Sequence, residues 1–304
     1  MKRIYVGRST YWRKRLKMID KIIIGTANFI KGYGVLSKHR SISKSEIANI
    51  SKILTREIVC TFDTALSYGD VLSILPPEIV AKAKIICKFS VQDSFDEVYL
   101  QFKKKLEMYN LKNYLGILVH DIDALDLDKK NELREFIKLL KEEKICQKAG
   151  VSVYTEDEVR RFSQIMIPEI IQVPLSPINQ TFNTKNFINF VKKHSIEIHA
   201  RSLFFQGLLF LESLPDDLNH LKLPWEKYVA LANKYDISKI ELLLAWANSL
   251  EWIDNWVLGI FSARDLQEII QSAEKAKNNH IPDAFITLEQ ESCTLLGSKD
   301  WKVV

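Results

Sequence analysis

Residues 94–143 carry three segments in a row: SFDEVYLQFKKKLEMY (94–109), YLGILVHD (114–121) and KNELREFIKLLKEE (130–143). In the first, Val98, Phe102 and Leu106 recur every four residues with Lys103, Lys104 and Lys105 around the outside, which predicts an amphipathic helix. The second is apolar without polar alternation, as in a strand covered on both faces of a parallel sheet. The third is helical again. The same rhythm continues in both directions. Apolar runs recur at 21–25 (KIIIG), 58–63 (IVCTFD), 84–89 (KIICKF), 149–152 (AGVS), 169–173 (EIIQV), 196–200 (IEIHA) and 256–261 (WVLGIF). Helical spacing recurs at 43–54, 238–250 and 263–276. Strands in this number, with helices between, predict an α/β fold of the (β/α)8, or TIM, barrel type. A doubly wound sheet is the main rival, but it usually needs fewer strands and a Gly-rich first turn. The turn here, GTANFIKGYG at 25–34, is not G-x-G-x-x-G.

Composition narrows the class further. The chain has 304 residues, 47% apolar and 27% charged, too rich in core-forming side chains for disorder. Length alone suggests about two domains, yet one barrel also fits, and a single barrel domain over 1–304 is expected. The net charge of +5 is small and dispersed, so nucleic acid is not an expected partner. The amino end is the exception, with seven cations before Asp20. Its Ile4-Tyr5-Val6 and Thr10-Tyr11-Trp12 flank Gly7, which reads as a solvated hairpin within 1–20, with an anionic-surface contact as the alternative. Cys60, Cys87, Cys146 and Cys293 show no metal-ligand spacing and read as reduced, buried thiols of a cytoplasmic protein, so no metal is expected. No apolar stretch approaches the ~20 residues of a membrane helix. Oligomeric state is left open.

Active sites of such barrels stand at the carboxyl ends of the strands. Those ends carry Asp63 and, in its loop, Tyr68; then Lys88; His120-Asp121; Ser152; Gln172; Arg201-Ser202; and Gly259 followed by Ser262. Asp63, Tyr68, Lys88 and His120 come from three adjacent strands and are expected to converge. Lys88 lies between Cys87 and Phe89, and an ammonium in an apolar setting needs a partner, which Asp63 supplies. A cation near a phenol favours phenolate, moving Tyr68 from its usual value near 10 toward working pH and making it a general acid. Phosphate in these barrels sits by the loops after strands seven and eight, where Ser202, Gly207 and Ser262 are candidates. Ser262 with Asp265 three residues on also reads as a plain helix cap.

FDTALSYG (62–69), IICKF (85–89) and LVHD (118–121) resemble the three tetrad-bearing motifs of the aldo-keto reductase superfamily. GTANF, GVSVY, IIQVP, ARSLFFQGLL and GIFSARDLQEI follow in the order that family has. The resemblance is nearest to a bacterial branch associated with surface-polysaccharide or sugar modification. It implies the barrel fold and an oxidoreductase that moves a hydride from NAD(P)H to an aldehyde or ketone. Tyr68 is then the proton donor, Lys88 and Asp63 tune it, and His120 orients the small-molecule carbonyl. Gly25, Thr26, Asp63, Ser152, Gln172 and Arg201 are implied to line the nicotinamide site. NADP is the implied cofactor, with NAD left open, because no Lys accompanies Gly259 and Arg264 is the only nearby cation for a 2′-phosphate.

The chain departs from the family pattern at Val153, Leu72, Ser176 and Ile269. These departures motivate an alternative: a nucleotide-binding, redox-sensing or regulatory relative with little turnover. A Schiff-base aldolase using Lys88 is the third reading. Phe29, Tyr33 and Phe205 are candidates for an apolar substrate wall, and the histidines other than His120 are assigned no role.

Overall fold

Eight strands, β1 (Ile22–Gly25), β2 (Thr61–Ala65), β3 (Lys84–Phe89), β4 (Tyr114–Val119), β5 (Cys146–Ser152), β6 (Ile170–Pro174), β7 (Glu197–Arg201) and β8 (Asn255–Gly259), pair in parallel, each with its successor, and β8 returns to β1. The computed structural model that shows this closed barrel describes residues 18–29, 42–57 and 61–276. The hairpin expected within 1–20, the start of the second strand at 58–60, and Tyr33, His39, Cys60, His280 and Cys293 lie outside the described residues, apart from a 3-10 turn at Met18–Lys21.

The helices stand between the strands. They are α1 (Lys44–Glu57), α2 (Pro77–Val80), α3 (Phe95–Met108), α4 (Lys130–Glu142), α5 (Glu156–Ser163), α6 (Lys185–His194), α7 (Lys222–Tyr235), α8 (Lys239–Ser249) and α9 (Ala263–Ala276). The four-residue repeat in α3 turns Val98 and Phe102 inward, and α4 buries Leu133, Phe136, Ile137 and Leu140. Phe89 of β3 meets this layer edge-on, 6.4 Å from Phe95, 6.0 Å from Phe102 and 5.6 Å from Phe136. Each such ring contributes about 1.5–3 kcal/mol by burial, and the edge-to-face geometry adds to it.

Inside the barrel, alternation along the strands places Ile23, Ile86, Leu118, Ile170 and Val257 in one apolar layer. Two residues further along the same strands stand Gly25, Lys88, His120, Gln172 and Gly259. The interior layer therefore decides which side chains reach the mouth.

β5 begins at Cys146, three residues earlier than the apolar run AGVS indicates, because Gln147 and Lys148 interrupt the hydrophobic pattern inside the strand. β2 runs on to Ala65, so Asp63 lies within the strand and not at its last position.

Candidate active site

Asp63 sits at the centre of the mouth and is almost fully buried, with three neighbours fixing it. Lys88 forms an ion pair with Oδ1, Gln172 donates from Nε2 to Oδ2 at 2.8 Å, and Thr26 donates its hydroxyl to the Asp63 carbonyl at 3.0 Å. Lys88 and Gln172 are 3% and 0% exposed, so the pair is dry and its partners are not interchangeable with water. A buried ion pair of this kind is costly to assemble, and removing one partner leaves an uncompensated charge. That makes it weak evidence for stability and better evidence for a site.

Tyr68 follows β2 in a short 3-10 turn, Leu66–Tyr68, that ends at Gly69 with φ +68. Gly69 is free to take this left-handed conformation because it lacks a Cβ. The turn lays the half-buried Tyr68 ring beside the ion pair, with Lys88 Nζ 5.8 Å from the ring centroid. From outside, Lys105 of α3 donates to the Gly69 carbonyl at 2.9 Å and pairs with Asp70, pinning the two residues after Tyr68.

His120 directly follows β4, its amide donating to the Phe89 carbonyl at 2.9 Å. Burial, then the positive charges of Lys88 and Arg201, push its imidazole down to about 4, against the opposing pull of Asp63 and Asp121. It is neutral at neutral pH, able to donate from one nitrogen and accept at the other. Asp121 beside it accepts from the Ser90 hydroxyl at 2.6 Å and the Val91 amide at 2.9 Å, tying the loop after β3 to the loop after β4. Sequence reasoning missed this tie, since Ser90 and Asp121 share no motif.

Arg201 ends β7, donating to the Val153 carbonyl at 3.1 Å with its guanidinium 4.2 Å above the Tyr154 ring. Ser152 lies beside Gln172, its hydroxyl 3.5 Å from Oε1. A buried carboxamide with a hydroxyl at its edge, next to an ion pair, matches the donor and acceptor pattern of another carboxamide, so the mouth fits a nicotinamide ring.

The family model described as Aldo/keto reductase family matches residues 21–283. The chain belongs to the aldo/keto reductase family. It is an oxidoreductase of a family that acts on small molecules with nicotinamide cofactors. Among solved structures, a thermostable aldo-keto reductase crystallised with the inhibitor epalrestat is 14% identical, with 88% of this chain and 93% of that chain covered and a TM-score of 0.65. A glycerol dehydrogenase from Gluconobacter oxydans is 15% identical over 88% and 89% with a TM-score of 0.64. An aldo/keto reductase from Brucella melitensis is 19% identical over 88% and 93% with a TM-score of 0.61. No curated protein sequence matches.

The structure thus brings together Asp63, Lys88, Tyr68, His120, Gln172, Ser152, Thr26 and Arg201, drawn from seven of the strands or their loops. Gly25 closes β1 beside them, paired in register with Asp63 and Gly259. Phe29 is half-buried and Phe205 buried against the core. The loop after β7 holds Ser202, Phe205 and Gln206 at φ 61, 49 and 55, ahead of Gly207 at φ 89. Such non-glycine residues cost of order 1–3 kcal/mol each, which makes this loop a place where strain is stored.

At the corner after β8 several amides are met by side chains of the protein itself. Ser262 caps α9: its hydroxyl accepts from the Asp265 amide at 3.0 Å and donates to the Asp265 carboxylate at 2.7 Å. Asp265 also accepts the Phe261 amide at 2.9 Å, and Glu46 of α1 accepts the Ala263 amide. Arg264 is exposed. Ser43-Lys44-Ser45-Glu46 has the S-x-x-E spacing of a capping box, so a signal for Glu46 was present. That pattern would return the carboxylate to its own helix, whereas here it crosses to another.

Among the described residues no helix is long and apolar enough to cross a membrane, and no group of His, Cys, Asp and Glu is placed to hold a metal.

Proposed function

We propose that this protein is an NAD(P)H-dependent carbonyl reductase in which Tyr68 is the general acid. The observation that carries the reading is the dry Asp63–Lys88 pair lying under the Tyr68 ring, with His120 neutral alongside. Bound reduced nicotinamide supplies a hydride to the carbonyl carbon. Tyr68 gives its hydroxyl proton to the carbonyl oxygen as negative charge develops there, and regains a proton from solvent. Lys88 stabilises the resulting phenolate, and Asp63 holds the Lys88 ammonium in place. His120 donates a hydrogen bond to the same oxygen, a role that requires the neutral ring to keep one N–H. Gln172 braces Asp63 and, with Ser152, Thr26 and Gly25, forms the bed for the nicotinamide; Arg201 closes its side. Ser202 stands at the start of the strained loop as the candidate for a diphosphate, with Gly207, whose amide donates to the Phe204 carbonyl at 2.9 Å, shaping the loop behind it.

The test is a purified chain supplied with reduced nucleotide and a panel of aldehydes and ketones, followed at the nucleotide absorbance. Oxidation of nucleotide is expected with the native chain. Tyr68→Phe should lower kcat by about 10²-fold or more while nucleotide still binds. Turnover that survives this change would overturn the assigned acid. A Schiff-base role for Lys88 is disfavoured by its ion pair, because a paired ammonium is not a nucleophile.

A further inference from the structure

We propose that Glu46 makes this protein select NAD(H) over NADP(H), by occupying with its own carboxylate the helix end that a cofactor's extra phosphate would use. The inference rests on the reading of the mouth as a nicotinamide site. With the nicotinamide over Asp63 and Gln172, the adenosine ribose is the far end of the dinucleotide and is assigned to the outer rim after β8. In barrels of this type phosphate is held by the loops after the seventh and eighth strands together with a helix N-terminus. Here that helix is α9.

Three amides at the N-terminal end of α9 are taken from within the chain. Glu46 takes the Ala263 amide, Ser262 takes the Asp265 amide, and Asp265 takes the Phe261 amide. Glu46 also lies in the first turn of α1, where Ser43 accepts the Glu46 amide at 3.1 Å. One carboxylate therefore stands between the N-terminal ends of two helices. A phosphate entering this corner finds these donors taken and meets two carboxylates, Glu46 and Asp265. Against them stands Arg264, exposed and without an ion pair among the described residues. A ribose with two hydroxyls brings no charge and leaves the arrangement intact. The extra phosphate brings about two negative charges and has to displace Glu46.

The test is a fluorescence titration of the full chain, which has six tryptophans, with NAD+ and with NADP+. The native chain is expected to bind NAD+ at least about tenfold more tightly. E46Q keeps an acceptor for the Ala263 amide but removes the charge, so it should tighten NADP+ about tenfold and leave NAD+ within about twofold. Independently of any variant, raising salt from about 0.05 M to about 0.5 M should narrow the native ratio, since screening weakens like-charge repulsion. Tighter binding of NADP+ by the native chain, or an E46Q effect that is absent or equal on both nucleotides, overturns the inference and leaves the reductase reading standing. Binding of neither nucleotide overturns both.

Discussion

His120 stands with Lys88 and Arg201 for neighbours and with much of its ring out of water, and each of these opposes a second proton. Its value falls from 6.5 to about 4 on folding. Between those two values the unfolded chain binds more protons than the folded one, so stability rises with pH across that window. The penalty is absent above 6.5 and complete below about 4, where it is on the order of 3 kcal/mol. His120→Gln keeps a hydrogen-bonding side chain without a titrating group. Urea unfolding of this variant at pH 7 and at about pH 4.5 should show a smaller loss of stability on acidification than the native chain shows. An equal loss would mean that the histidine is not held neutral. Activity of the same variant should fall while nucleotide binding persists, because in the proposed reaction the imidazole serves the carbonyl and not the cofactor.

At the scale of elements, the connection to examine is α3 to the turn that carries Tyr68. The sequence shows Lys105 as one of three lysines on an outer face, and its helix and facing follow from the four-residue spacing. What the spacing does not show is that Lys105, with its side chain 14% exposed, reaches Gly69 and Asp70, 36 and 35 residues away in the chain. Contacts that depend on how separate elements dock leave no periodic trace. The same holds for Glu46, where the local S-x-x-E pattern was legible and its partner on α9 was not. The opposite case is Asp63–Lys88, legible because a lysine inside an apolar run demands a counter-ion and few carboxylates stood on neighbouring strands. Lys105→Met should therefore loosen the Gly69–Asp70 turn and shift Tyr68, lowering kcat about tenfold with little change in KM for the carbonyl. Lys105→Arg, which keeps the charge and donors, should recover most of the loss. A drop in KM and kcat together with a lower Tm would point instead to plain destabilisation of α3.

Taken whole, the barrel has polar groups at both ends of its interior with an apolar layer between them. The upper end is the mouth. At the lower end Glu197 of β7 is held by Lys148 of β5, by His199 Nε2 at 2.7 Å and by Asn255 of β8 at 3.1 Å. These side chains explain the short apolar run of β5: inward Lys148 serves this floor, and with exposed Gln147 beside it the hydrophobic pattern is broken. His199, assigned no role in the sequence, is fully buried here, and its Nδ1 has no hydrogen-bond partner among the described residues. Burial alone would raise the Glu197 carboxyl, but the hydrogen bonds and charges of His199 and Lys148 outweigh it and hold the group at about 2, down from 4.5. Its contribution is thus present above pH 4.5 and lost as pH falls through about 2, a lower window than that of His120. Glu197→Gln should cost about 1–3 kcal/mol, at the lower end because Lys148 is 38% exposed and keeps part of its hydration. The apolar layer of Ile23, Ile86, Leu118, Ile170 and Val257 separates this floor from Asp63 and Lys88, and distant independent sites add. A thermal melt of Glu197→Gln should therefore move down by several degrees. kcat measured well below the new midpoint should stay within about twofold of native. A large loss of activity in a variant that is still folded would mean that charge at the floor reaches the mouth, and that the interior layer does not insulate the two ends.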